Sequence, residues 1–397
     1  MISIFCQQSW RDQLRMFASS TMQNNLVPVQ RLPAGPHSRI RVAAVFCFAS
    51  VIAITLLSPP GVAAEPHTNS NSLATRSATL NLGVQPLGYP SGVISAVMQH
   101  DRILQKALAE SKFPLKTYPF KRGADMLTPL ADHRLDAALL GDMPTLIAAA
   151  TATVSIIGLV KQSSTAIVAK RETEVRGLLG KRIGYVEASS GHYTLLQGLA
   201  SAGIDDTKVT LIPLSVNEMP AALERGDIDA FAAWEPAPTV ALANNKQNHV
   251  VFRGWNSDYF IITQDFIERA PQAALHLIAG FIRAIEWMRR SQNNAEKAAH
   301  WASAETAHFS PATALLSTAQ ITAITRREIL DIPSAPAILH SPSGSPLQNE
   351  FQFLTKLGKL PPAATWENIN SALHYDGLAK VLSEPRAFKL RVYDYDE

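Results

Sequence analysis

Hydrophobic and polar positions alternate along the chain from Ala78 onward with two different periods. Short apolar runs with period two indicate strands, whereas apolar positions three or four residues apart indicate helices. Strands are predicted at 78–84, 115–120, 135–140, 154–159, 165–169, 181–186, 209–214 and 228–233. Helices are predicted at 93–110, 123–133, 193–202, 217–225, 266–293, 295–302 and 312–329, and a Pro/Ser-rich loop at 333–346. This alternation favours an α/β fold in which helices cover parallel or mixed sheets.

The first 64 residues have the pattern of a leader. Arg39 and Arg41 precede an apolar run, Val42–Leu57, and small residues at 62–64 follow a Pro-Pro-Gly break. This order predicts a signal peptide that is cleaved near Ala64, and therefore a periplasmic location. The run is short for a membrane span, which needs about 20 residues, but an uncleaved anchor is the alternative.

Both cysteines, Cys6 and Cys47, lie in the leader, so the predicted mature chain has neither disulfides nor thiolate chemistry. Without the leader the formal charge falls from +3 to −1, because the leader holds five arginines and one acid. The basic pI of about 8.8 thus belongs to the leader, and nucleic acid is not an expected partner. The Ser/Asn/Thr-rich residues 65–77 are predicted to be a flexible lead-in.

Two segments of the chain are similar to each other. Residues 130–142, "LADHRLDAALLGD", have the same pattern as residues 222–234, "ALERGDIDAFAAW". In each, a helix ends, a short turn follows, and an apolar strand runs into a distinctive turn. Two similar α/β units that end their strands at a shared crevice explain this pattern, and ligands bind beyond strand ends in such sheets.

Four stretches in order resemble one protein family: "LLGDMPTLIAAA", "STAIVAK", "VRGLLGKRIGYVEASSGHYTLLQGLASAGI" and "LPLSVNEMPAALERGDIDAFAAWEPAPTVAL". The family comprises the periplasmic substrate-binding proteins of ABC importers for aliphatic sulfonates, taurine and nitrate. The resemblance implies a two-lobed type II periplasmic binding protein fold, with two mixed sheets flanked by helices and a ligand cleft between the lobes. The chain would cross between lobes near Ser163–Ala166 and Asn256–Phe260. Lobe one would then be 78–165 with 258–397, including the C-terminal helices, and lobe two 166–257.

The resemblance also implies a function. A monomer would capture a small organic anion, close on it by a hinge motion, and deliver it to ABC permease and ATPase subunits at the inner membrane. No reaction, cofactor or metal is expected, since the sequence has no HExxH motif, P-loop or GxSxG elbow. The alternatives are a receptor for nitrate or another small anion, an enzyme on the same fold (pyrimidine-synthesis-like or a small-molecule lyase), and a sensor.

The turn between the predicted strand 181–186 and the next helix is the first candidate for anion binding. A helix N-terminus leaves backbone N–H groups unpaired and carries partial positive charge. Ser189, Ser190 and Gly191 would let a sulfonate approach this backbone closely. His192 and Tyr193 could add two donors. The alternative is that Ser189 or Ser190 merely caps the helix.

Two other strand-to-helix turns are candidates. Gln85 could donate its amide N–H to the ligand, and Tyr89 could flank an organic tail. Gly141 and Asp142 form the third turn, where Asp142 is expected to cap its helix rather than touch an anion.

Trp234 and Glu235 follow the second of the two similar strands. Trp234 could pack on an alkyl chain. Glu235 would repel a simple anion; facing the cleft it would favour a zwitterion such as taurine, whereas beside Lys or Arg it would be a structural acid. The family often carries Asp where this chain has Glu235. With Tyr89 and Tyr193, Trp234 favours an organic sulfonate over bare nitrate.

Overall fold

The computed structural model describes residues 78–310, 316–330 and 346–396. The predicted leader 1–64, the lead-in 65–77 and the predicted loop up to residue 345 lie outside these residues. No helix in the three described ranges is both long and apolar enough to cross a bilayer.

Eight strands form one sheet with the order β2-β1-β3-β8-β4-β7-β5-β6. Their bounds are β1 Leu80–Val84, β2 Leu115–Pro119, β3 Ala137–Gly141, β4 Val154–Lys170, β5 Arg182–Tyr185, β6 Thr210–Pro213, β7 Ala230–Ala233 and β8 Asn248–Thr263. Strands β1, β2 and β3 are parallel to one another, as are β5, β6 and β7. Each set of three has the pattern that results from β-α-β crossovers.

The predicted α/β class with helices on both faces is confirmed, but the hydrogen bonding does not divide into two sheets. Strands β4 and β8 are 17 and 16 residues long and pair with each other along their whole length. β8 also pairs with β3, and β4 also pairs with β7. The family resemblance implied two separate sheets, whereas the structure has one continuous sheet, because β4 runs through both of the strands predicted at 154–159 and 165–169.

The middle of the long strand pair joins the two ends of the sheet. We call residues 161–166 of β4 and 253–258 of β8 the crossing segment. β8 pairs with β3 over Asp258–Ile262, and β4 pairs with β7 over Ala166–Ala169. The crossings predicted from the sequence fall on or next to this segment. The lobe boundaries drawn from them stay predictions.

Strands β3 and β7, which carry the two similar sequences, run toward each other. β3 and β7 are antiparallel to β8 and β4, respectively, and β4 is antiparallel to β8. β3 ends at Gly141, in the same row as Asp258 and Lys161, and β7 ends at Ala233, opposite Ala166. The two strand ends are therefore separated by five residues of β4, roughly 16 Å. The shared crevice predicted from the sequence would lie at this gap, and it stays a prediction.

Fourteen α-helices are assigned in the described ranges, joined by short 3₁₀ turns. They are α1 Ser91–Gln99, α2 Arg102–Glu110, α3 Leu127–Ala131, α4 Asp142–Thr151, α5 Ser190–Ser201, α6 Met219–Arg225, α7 Ala237–Asn244, α8 Gln264–Arg269, α9 Pro271–Arg290, α10 Gln292–Phe309, α11 Thr318–Leu330, α12 Pro346–Lys356, α13 Trp366–Ser371 and α14 Asp376–Ser383. The predicted helix 93–110 is divided because Asp101 caps α2 by accepting from Leu104 N–H at 3.0 Å. The predicted helix 266–293 is divided at Pro271, which cannot donate to the preceding turn.

Apolar side chains pack on both faces of the sheet. At the β1–β3 end, one cluster includes Leu82 and Phe281 under α1, α9 and α10, and another includes Leu140 and Leu354 under α4 and α12. Two smaller clusters flank the β5–β7 end under α5, α6 and α7. Because these clusters fix each strand end against its following helix, they also position the turns around the crossing segment.

Candidate functional site

Four helices begin where four strands end, around the crossing segment. They are α1 after β1, α4 after β3, α5 after β5 and α7 after β7. Helix N-termini carry unpaired N–H groups and partial positive charge. The arrangement therefore brings several potential donors for an anion to one region.

At the start of α5, Ser189 is the cap residue. Its Oγ accepts from His192 N–H at 3.2 Å and donates to the Val186 carbonyl at 2.6 Å. Both bonds are local, so this hydroxyl performs the capping role that was the alternative in the sequence analysis. The backbone N–H groups of Ser190 and Gly191 have no hydrogen-bond partner in the described part of the chain. They remain the candidate anion donors of this turn.

Gly191 allows α5 to approach β7 closely. A Cβ atom at this position would lie 2.8 Å from the carbonyl oxygen of Ala232, and backbone cannot move aside as a flexible side chain can. Close packing of α5 on β7 therefore explains the glycine at position 191, whether or not a ligand binds there.

His192 is buried, at 6% exposure, and packs between aromatic rings. Its ring lies 4.7 Å from that of Tyr185 and 5.3 Å from that of Phe353, centroid to centroid. His192 Nδ1 accepts from the Ala188 N–H at 3.3 Å, which leaves the proton of the neutral ring on Nε2. Burial lowers the pKa of His192, so the ring is a neutral, packed group. Tyr193 also packs on Phe353, with 5.1 Å between ring centroids.

The turn after β1 places Gln85 and Tyr89 differently from one another. Gln85 is half-buried, and its Nε2 donates to the Leu139 carbonyl of β3 at 3.2 Å. Tyr89 is 4% exposed and belongs to the apolar cluster under α1, and its hydroxyl is hydrogen-bonded to Thr306. Burial raises the pKa of Tyr89. This is the packing of a core residue.

Asp142 shapes the turn after Gly141, but the prediction that it caps the helix is wrong, because Gly141 is the cap and Asp142 is the first residue of α4. Its Oδ1 accepts from Met143 N–H at 2.7 Å and its Oδ2 from Ser257 N–H at 3.4 Å, and only 1% of the residue is exposed. Burial raises the pKa of Asp142 to about 6, against the bond from Met143, which lowers it. Nearby Glu350 of α12 is 4% exposed, and burial, together with the charge of Asp142, raises its pKa well above the usual range.

Glu235 has a basic partner. Its Oε1 accepts from Arg327 Nη2 at 2.7 Å, and its Oε2 accepts from Thr239 N–H in the first turn of α7 at 3.2 Å. Glu235 is 7% exposed. This is the arrangement that the sequence analysis associates with a structural acid. Its neighbour Trp234 is half-buried beside the crossing segment.

Sequence reasoning missed a buried polar face on the crossing segment. Lys161, Ser163 and Thr165 are all buried, whereas the intervening Gln162 and Ser164 are exposed and half-buried. Asn256, directly opposite Ser163, is 3% exposed. The available signal was the lysine and hydroxyl residues at period two within an otherwise apolar strand.

The C-terminal helices extend across to the β5–β7 end of the sheet. Arg327 of α11 contacts Glu235, Phe353 of α12 packs on the first turn of α5, and Lys359 Nζ lies 3.0 Å from Glu187 Oε1. These contacts connect residues more than 90 positions apart in sequence. Local sequence patterns could not reveal them.

Comparisons with known proteins agree with this architecture. Residues 74–303 match the model of the NMT1-like family. The chain belongs to this family. The family resemblance inferred from the sequence is also confirmed by the relatives that follow.

Two relatives come from Escherichia coli strain K12. One, named a putative aliphatic sulfonates-binding protein, is 29% identical over 39% of this chain and 50% of the relative. The other, the taurine-binding periplasmic protein, is 27% identical over 44% of this chain and 60% of the relative. The chain thus spans about half of the length of the curated relatives that it matches.

Solved structures share the fold over a longer range. The periplasmic aliphatic sulphonate binding protein SsuA from Escherichia coli superposes with a TM-score of 0.61 at 19% identity, over 76% of this chain and 99% of SsuA. The desulfurization enzyme DSZB superposes with a TM-score of 0.54 at 14% identity, over 78% of this chain and 99% of the enzyme. At these identities the likeness is one of fold alone.

Proposed function

We propose that this chain is the extracytoplasmic solute-binding component of an ABC importer. It captures a small organic anion, an aliphatic sulfonate or taurine, between its two lobes and delivers it to the permease and its ATPase. It acts as a monomer in the periplasm, after cleavage of the leader near Ala64. The ligand-binding residues are drawn from the turns that contain Gln85, Gly141, Asp142, Ser189–His192, Trp234 and Glu235.

One observation carries this proposal: strand ends from both halves of the sheet converge on the crossing segment. β3 ends beside Asp258, β7 ends beside Ala166, and a helix begins after each. Ligands of open α/β sheets bind beyond the carboxyl ends of strands. Desolvating an anion costs several kcal/mol, and converging N–H groups offset this cost.

The relatives support the ligand class. Their names specify aliphatic sulfonates and taurine, which share a sulfonate group on an alkyl chain. Half-buried Trp234 provides an apolar surface for such an alkyl chain. Nitrate has no alkyl chain and would gain nothing from this surface.

Isothermal titration calorimetry on the purified protein, refolded free of carried-over ligand, tests the proposal. The panel is methanesulfonate, ethanesulfonate, taurine, nitrate and bicarbonate. We expect saturable binding of at least one of the three sulfonates, with nitrate and bicarbonate at least tenfold weaker. If nitrate or bicarbonate binds tightest, the receptor is one for inorganic anions.

The enzyme alternative is tested in the same samples. Incubation with each sulfonate, followed by mass spectrometry of the small molecules, should return the ligand unchanged. Turnover without stable binding would instead place the chain with enzymes of this fold, since fold does not fix function.

A further inference from the structure

We propose that Lys161 supplies the positive charge that binds the sulfonate, on the buried polar face of the crossing segment. This inference rests on the proposed function and deepens it. The group that recognises the negative charge would then be Lys161 on β4, and not the N–H groups at the start of α5.

The ammonium group of Lys161 sits on a deeply buried side chain and has one ionic partner, Asp258, but no hydrogen-bond acceptor among the described residues. Lys161 is 2% exposed and is among the largest fully buried side chains. Its nearest carboxylate oxygen is Asp258 Oδ1, at 3.7 Å, which is beyond hydrogen-bond distance. An ammonium has three N–H donors, and no described residue accepts a hydrogen bond from this one. Holding a charge at the end of a side chain this deeply buried is costly, and sulfonate oxygens would supply acceptors for its N–H groups.

Asp258 is held in place by another group. Its Oδ2 accepts from Ser91 Oγ, in the first residue of α1, at 2.5 Å. Gly141 lies opposite Asp258, and a Cβ atom there would meet nothing closer than Asp258 Oδ1, at 3.7 Å. Asp258 is therefore oriented by α1, and the row of Gly141, Asp258 and Lys161 retains room above the glycine.

The residues next to Lys161 on this face also have unused polar atoms. Thr165 Oγ1 and Asn256 Oδ1 are buried without a hydrogen-bond partner in the described part of the chain. Ser163 lies between Lys161 and Thr165 on β4, opposite Asn256, and is 8% exposed. Native proteins pair almost all such buried groups, so a run of unpaired ones indicates that a ligand or water occupies the face.

The same face leads to the start of α5. Gly254, opposite Thr165, is covered by Thr194 of α5, whose Oγ1 would lie 2.5 Å from a Cβ atom on that glycine. Thr194 Oγ1 is buried and has no partner among the described residues. A ligand held by Lys161 would thus point its other end along the strand toward α5, about 13 Å away.

The acids around Lys161 limit the negative charge that a ligand can bring to this face. Besides Asp258, Lys161 interacts electrostatically with Asp142, whose raised pKa reflects its burial. Since Asp258 and Asp142 share the single ammonium, a dianion would be repelled more strongly than a monoanion. We therefore expect discrimination against sulfate and inorganic phosphate.

Substitution of Lys161 tests the inference. In Lys161→Met the side chain keeps its length and loses its charge, and the affinity for ethanesulfonate and taurine should fall on the order of 10- to 100-fold. Lys170→Met is the matched control, because Lys170 lies on the same strand but donates to the Glu224 carbonyl at 3.0 Å. The affinity of the Lys170→Met variant for both ligands should stay within about twofold of wild type, because this substitution alters no group on the polar face.

Folding is controlled by a second variant. Lys161→Met with Asp258→Asn removes both charges, so no unpaired acid remains, and circular dichroism and thermal melting report whether it is folded. A folded double variant that binds ethanesulfonate as tightly as wild type would overturn the inference, as would Lys161→Met with unchanged affinity. If wild type binds neither probe, the proposed function fails, and this inference fails with it.

Discussion

The Arg327 guanidinium lies 2.7 Å from the Glu235 carboxylate, and this ion pair ties α11 to the turn after β7. The two residues are 92 positions apart in sequence. Glu235 is nearly buried, whereas the Arg327 side chain is 54% exposed and also contacts Glu328, at 3.1 Å. The negative charge that a cleft-facing Glu235 would present to a ligand is thus matched by a base.

Replacing Glu235 by Gln should leave ligand selectivity nearly unchanged. Because Arg327 already matches the charge of Glu235, the ratio of taurine to ethanesulfonate affinities should shift by less than about threefold, well under 1 kcal/mol. The free energy of unfolding should fall by about 1 kcal/mol, as for a pair with one exposed partner. Calorimetry and urea unfolding measure both, with the exposed Asp227→Asn as control. A selective loss of taurine binding of tenfold or more would mean that Glu235 faces the ligand amine.

Gly191→Ala should destabilise the β5–β7 end of the sheet. The added Cβ would lie 2.8 Å from the Ala232 carbonyl, so α5 must move away from β7. Overpacking of this kind costs roughly 1–3 kcal/mol. Gly88→Ala is the control, because its Cβ would meet nothing closer than 3.8 Å. Equal urea midpoints for the two variants would contradict the close approach.

A buried ion pair anchors the C-terminal segment. Arg283 and Asp101 are 2% and 0% exposed, with 2.7 Å between Nη2 and Oδ2, and Arg283 Nη1 donates to the Phe388 carbonyl at 2.9 Å. Arg283→Met leaves the Asp101 carboxylate buried and unpaired, which should cost about 3–5 kcal/mol. Adding Asp101→Asn should recover part of this loss. Arg102→Met, in an exposed pair with Asp396, should cost at most about 1 kcal/mol in the same unfolding experiment. A loss from Arg283→Met as small as that from Arg102→Met would contradict the anchoring role.

The sequence predicted the fold well where local patterns decide it. The similar segments 130–142 and 222–234 identified β3 and β7. The strand β8, Asn248–Thr263, was not predicted, because Asn248–Gly254 mixes polar and apolar residues without clear alternation. Its partner β4 supplies its pairing, and this is a tertiary effect.

The candidate site was predicted only in part. The capping role of Ser189 follows from local spacing and could be foreseen, whereas the predicted cap Asp142 is the first residue of α4, which Gly141 caps. Lys161 could not be assigned, because its burial depends on the pairing with β8, about a hundred residues later. The sequence also could not decide whether Glu235 faces a ligand or Arg327, because that ion pair joins residues 92 positions apart.

Glu350 provides a prediction about pH. Its carboxyl group is buried beside Asp142, its Oε2 has no hydrogen-bond partner among the described residues, and burial raises its pKa well above the usual range. The pKa of Asp142 is raised to about 6. As pH rises above the ordinary carboxyl range, the unfolded chain loses these protons before the folded chain does. The two acids therefore stabilise the folded state less as pH rises through this window, and a shift of the size seen for Asp142 corresponds to about 3 kcal/mol.

Glu350→Gln removes one of the two acids, while its amide can still donate to Asp142. We expect the variant to be more stable than wild type at pH 8, with a difference that shrinks toward pH 4, where Glu350 is protonated in both states. Urea unfolding at a series of pH values measures the two slopes, and Glu367→Gln, at an exposed position of α13, is the control. Parallel pH profiles for wild type and Glu350→Gln would mean that Glu350 is ionised in the folded protein, with a cation or water compensating its charge beneath α12.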